Sequence, residues 1–129
     1  MRSSTSTVPE IDEKTKISLQ TVTDNESQVI VHCYYPQAPF GSKIRIWPST
    51  FLMDKHSNHK SQLLLADNIS FMPQWTYIMP RKAHRFTLFF SGLSKECTVF
   101  DLVEDIPEPG AFIVNNIQRN QEDVYHIYL

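Results

Sequence analysis

Asp54, His56 and His59 lie within one short polar segment and bring together a carboxylate and two imidazoles. Oxygen and nitrogen donors of this kind hold zinc, and a zinc-bound water is the nucleophile of metal-dependent hydrolysis. Tight binding needs surroundings that fix the donors, and a polar loop between strands supplies none. A solvated hairpin loop is therefore the favoured reading. No metal and no cofactor is assigned, and the three residues remain the metal candidates of an alternative, a metal-dependent hydrolase.

A second cluster is acidic: Asp101, Glu104, Asp105 and Glu108. Paired carboxylates in a cleft perform acid–base work. On a strand, however, Phe100, Leu102 and Glu104 share one face while Asp101, Val103 and Asp105 share the other. The favoured reading is a solvated strand end leading into a Pro-rich turn. The spacing is not that of a calcium loop.

Trp47, Trp75 and Tyr77 are the candidate binding residues. Flat aromatic faces stack on sugars, and both tryptophans stand near prolines, where strands end and side chains reach solvent. Packing within sheets is the competing use of aromatics. Arg81, Lys82, His84 and Arg85 form a small basic patch, too little against a net charge of -2 to suggest nucleic acid. Nucleophile elbows, phosphate loops, dinucleotide glycine fingerprints and His-Glu-x-x-His are absent from the sequence.

The elements that must position these groups are strands. Lys43-Ile-Arg-Ile-Trp47 alternates strictly, with Ile44 and Ile46 inward. Gln28–Tyr35, Gln62–Ala66, Ile69–Met72, Trp75–Met79, Arg85–Leu93, Thr98–Glu104, Phe112–Val114 and Val124–Leu129 are further β-rich runs. In the run from Arg85, the core face carries Phe86, Leu88 and Phe90. Lys16–Thr23 is expected to form a hairpin with Gln28–Tyr35 across the turn at 24–27. Eight prolines break helices over most of the chain. They leave room only for a helical turn near Ser49–Met53 or Ser94–Glu96.

A chain of 129 residues predicts one domain with a core of its own. The expected organisation is a flexible tail over 1–12 and a β-domain over 13–129. Cys33 and Cys97 read as reduced thiols in or beside strands; whether they are bridged is open, since spacing does not decide it. No run is long enough to span a bilayer. The N-terminus carries no apolar signal segment. A cytoplasmic location follows if that start is native, and an exported one if a signal has been removed.

Ile44-Arg-Ile-Trp-Pro-Ser-Thr-Phe-Leu52, Phe86-Thr-Leu-Phe-Phe-Ser-Gly-Leu93 and Phe100-Asp-Leu-Val-Glu104 follow one another in order. With Ile106–Phe112 and Asp123–His126, this pattern resembles a group of small bacterial all-β domains that have no assigned activity. The resemblance spans roughly residues 15 to 129. It implies an all-β single domain and brings no catalytic residues.

The expectation is thus an all-β, single-domain antiparallel β-sandwich, immunoglobulin-like in general architecture, with a small β-barrel as the alternative. The expected function is a non-catalytic module recognising a protein or peptide, without nucleic-acid or membrane partners. Carbohydrate binding through the exposed aromatics and the metal-dependent hydrolase are the alternatives.

Overall fold

The computed structural model describes residues 27–129. The tail expected over 1–12 and the strand expected over Lys16–Thr23 lie outside the described residues. Runs rich in β-branched and aromatic residues form nine strands: β1 (Gln28–Tyr35), β2 (Ser42–Ile44), β3 (Thr50–Asp54), β4 (Lys60–Asp67), β5 (Thr76–Ile78), β6 (His84–Ser91), β7 (Val99–Glu104), β8 (Ile113–Gln118) and β9 (Val124–Tyr128). No helix occurs among the described residues, so the all-β class is the one observed. The span Ser49–Met53 belongs mostly to β3, and Ser94–Glu96 is a single turn in which Cys97 N–H donates to Ser94 O at 3.1 Å.

Seven strands make one sheet in the order β8-β7-β3-β4-β6-β1-β9, and β2 pairs with β5 in a separate ribbon. The sheet is curled into a half-barrel, the barrel-like alternative, rather than forming one of two comparable facing sheets. Chain length explains the curl. β8 and β9 occupy opposite edges, yet only residues 119–123 join them. That link reaches about 21 Å at full extension. A flat sheet of this width would hold its edge strands roughly 29 Å apart.

The same curl accounts for a departure from the expected antiparallel sheet. β1 and β9 run parallel, with Ile30 opposite Val124 and Tyr34 opposite Tyr128. Strict alternation over seven strands would give the two edge strands the same direction, whereas the short link 119–123 reverses the chain between β8 and β9; one like-directed pair is therefore required, and it falls here. β1 has β6 on its other side, so both of its edges are occupied by described strands.

Phe86, Leu88 and Phe90 face inward as expected and are at most 1% exposed. Ile44, Ile46 and Ile78 of the ribbon region join them in a single core with Leu52, Phe100 and Leu102. Thr87 and Phe89, on the opposite face of β6, are buried as well. Ile30 and Leu65 flank Phe89 in the sheet, and His32 Nδ1 lies 2.9 Å from Thr87 Oγ1. Cys33 and Cys97 are buried free thiols. Among the described residues, no helix is long and apolar enough to cross a membrane.

Candidate functional site

Alternation on β2 turns Ile44 into the core and Lys43 outward, and beyond the strand end it turns Ile46 inward and Arg45 outward. The outward side of this segment forms one wall of an open cleft of about 240 Å³. Lys43, Arg45, Trp47, Trp75, Glu104 and Glu108 are among the residues that line it. Gly41 sets the start of the ribbon. Its φ is +79°, and a Cβ there would come within 2.6 Å of the Ile78 carbonyl oxygen, so only glycine fits.

Two cations lie over the Trp75 ring. Lys43 Nζ is 4.5 Å from the ring centroid and the Arg45 guanidinium carbon is 3.9 Å from it. Arg45 is also 5.9 Å from the Trp47 ring. Such contacts contribute about 0.5–2 kcal/mol each, depending on how well water is excluded. Arg45 Nη1 donates to Pro73 O at 3.2 Å, and Nη2 lies 3.3 Å from both carboxylate oxygens of Glu108. This ion pair is partly exposed and contributes at most about 1 kcal/mol.

Glu104 ends β7 on its inward face, behind Phe100 and Leu102, and is 3% exposed. One carboxylate oxygen accepts Trp47 N–H at 3.1 Å and the other accepts Phe112 N–H at 3.0 Å. The group therefore ties together the two loops that frame the cleft. Burial raises its pKa above the ordinary carboxylate range, against the lowering effect of those two N–H donors.

The acidic run divides between faces as alternation predicts. Asp101 turns outward, where it accepts Asn116 N–H at 2.8 Å and pairs with Lys55 at 3.2 Å. The run is nevertheless not a wholly solvated strand end. Glu104 is buried, and the turn after it returns Glu108 to the same cleft.

Trp47 and Trp75 are brought together in this cleft. Tyr77 is not: it lies opposite Lys43 in the ribbon, is 74% exposed, and does not line the cleft. Asp54, His56 and His59 stay in their loop. The Asp54 carboxylate accepts His56 N–H at 3.0 Å and Ser57 Oγ–H at 2.8 Å, and the His56 N–H bond leads the effects that lower its pKa. His59 Nε2 lies 3.1 Å from the Gly92 carbonyl oxygen. Among the described residues, no three His, Cys, Asp or Glu side chains gather as metal ligands. The basic patch also divides: His84 Nε2 sits 2.7 Å from the Asn68 carbonyl oxygen, and Arg85 lies over Tyr34.

Lys43, Arg45, Glu108 and Phe112 were not singled out for this site by the sequence. One signal pointed to it: Glu104 is a carboxylate at an inward position of an apolar strand face. Such a group must find donors. Fold and site together define a small all-β domain that carries an aromatic, charged cleft. No protein-family model, curated protein or solved structure matches the chain.

Proposed function

We propose that this chain is a non-catalytic binding module that recognises a protein or peptide through the Trp47–Trp75 cleft. The observation that carries the reading is the convergence of two tryptophans, Lys43 and the Arg45–Glu108 pair on one open concavity. Tryptophan and arginine dominate the energetics of protein recognition. The volume, about 240 Å³, lies below the roughly 300–1,000 Å³ of sites for drug-sized molecules. It suits one side chain or one chain end of a larger partner.

Trp47 and Trp75 are the two tryptophans of the chain, so selectively excited tryptophan emission reports on the cleft. Titration with a pool of random peptides should shift that emission. Trp75→Ala should remove the binding while the β-sheet circular dichroism stays unchanged. Peptides that bind Trp75→Ala as well as the parent would place recognition elsewhere and sink the proposal.

A carbohydrate ligand is the second reading, favoured by the two tryptophans beside an Arg–Glu pair able to grip neighbouring hydroxyls. Against it, Trp75 already carries two cations within 4.5 Å of its ring centroid, where a sugar would stack. A fluorescence response to neutral monosaccharides, with none to peptides, would establish it over the first reading.

A further inference from the structure

The cleft has more hydrogen-bond donors than acceptors. Arg45 Nε–H and Trp47 Nε1–H are enclosed, and neither has an acceptor among the described residues. Lys43 Nζ contacts the Trp75 ring and forms no ion pair among those residues. The carboxylates nearby already have partners: each Glu104 oxygen accepts a backbone N–H, and both Glu108 oxygens face Arg45 Nη2. An enclosed N–H without an acceptor is costly, so two such donors beside the exposed Lys43 ammonium mark where an acceptor belongs.

From this accounting we infer that the cleft takes a carboxylate of the peptide partner, held by Lys43 Nζ, Arg45 Nε and Trp47 Nε1. The inference rests on the proposed peptide-binding role and names the group that is recognised. A carboxylate offers two oxygens with about four lone-pair sites, which match one ammonium and two N–H donors. Charge-assisted bonds of this kind are the stronger class. Glu104 and Glu108 also face the cleft; two N–H groups stabilise the first and the Arg45 guanidinium pairs with the second, whereas Lys43 has no ion-pair partner among the described residues. Arg45 Nε–H and Trp47 Nε1–H are enclosed, so the carboxylate reaches them only if these side chains shift on binding. The carboxylate belongs either to a chain terminus or to an Asp or Glu side chain.

The test uses random N-acetyl tripeptides in three pools: free acids without Asp or Glu, amides without Asp or Glu, and amides containing them. Retention on immobilised protein and tryptophan emission are both read. Free acids, or the acidic amides, should bind about tenfold or more tighter than the plain amides, and whichever of the two binds identifies the source. Lys43→Gln should abolish that preference. Trp47→Phe, which keeps a ring and removes the N–H, should reduce it. Both variants leave the core untouched, and thermal melts verify that they fold. Equal binding of all pools overturns the carboxylate inference and leaves peptide recognition standing. Absence of binding by every pool overturns both.

Discussion

Phe100 of β7 and Tyr125 of β9 meet edge to face with ring centroids 5.1 Å apart, although four strands lie between β7 and β9 in the sheet. The contact spans the inside of the curl. Asn120 N–H donates to the Tyr125 hydroxyl at 3.1 Å, and that hydroxyl donates to Asp123 Oδ1 at 2.8 Å. Arg119 holds Asp123 through two bonds of 3.1 and 3.0 Å, and its Nη1 donates to the Ser94 and Cys97 carbonyl oxygens. One short link thus binds the two edges of the sheet to each other and to the turn before β7.

Phe100→Ala should destabilise the domain by about 3–5 kcal/mol, since the ring is fully buried. Tyr125→Phe keeps the ring contact and removes the hydroxyl, so it should cost about 0.5–1.5 kcal/mol. A double-mutant cycle of Phe100→Leu with Tyr125→Leu should return a coupling of about 0.5–1.5 kcal/mol. Urea denaturation reads all three. A coupling of zero would mean that the rings do not meet in solution.

Truncation after Asp123 removes β9 and uncovers the edge of β1 from Ile30 to Tyr34. The shortened chain is expected to lose cooperative unfolding or to aggregate, because bare strand edges recruit other strands. Leu88→Ala, at a position 1% exposed, should cost about 2–5 kcal/mol without loss of fold. Size-exclusion chromatography and melting curves distinguish the two outcomes. A soluble, cooperatively folded truncation would contradict the parallel pairing.

Asp54 and Glu104 give stability opposite slopes with pH. Hydrogen bonds hold the Asp54 pKa below 3.8, so its contribution is present above that value and fades as pH falls through the lower folded value. Burial lifts Glu104 above 4.5, so its contribution is present below 4.5 and fades as pH rises through the higher folded value. Denaturant midpoints measured from pH 3 to 8 should therefore pass through a maximum on the acidic side of neutrality. Glu104→Gln should flatten the falling limb above 4.5. An unchanged limb would assign it to other groups.

Burial pushes the Cys33 thiol up to about 12 and raises Cys97 as well. Both should resist a thiol-specific chromophoric reagent at pH 8 in the native protein and react in urea. Native titration of either thiol within minutes would indicate a sheet that opens locally.

Much of the fold was legible because strand alternation writes burial directly into sequence. Phe86, Leu88, Phe90 and the Ile44/Ile46 pair show it. The curl and the parallel β1–β9 pair were not legible, since they follow from which distant edges meet. Nor was the cleft as a unit. Trp47 and Trp75 were visible as aromatics beside prolines, but the contacts of Arg45 with Trp75 and Glu108 join residues 30 and 63 positions apart in the numbering. Glu104 could be placed on the inward face; its backbone partners, Trp47 and Phe112, come from loops whose courses alternation does not specify.

The bond between the Tyr34 hydroxyl and His126 Nδ1, 2.9 Å long, spans 92 positions of sequence. Closing so large a loop costs chain entropy before any pairing between β1 and β9 offsets it. Folding should accordingly be slow for a domain of this size, with β9 docking late. Until it docks, the outer rim of β1 is open to the corresponding strand of a second molecule. Exchange of β9 between copies is thus the misassembly this topology invites when refolding is carried out at high concentration.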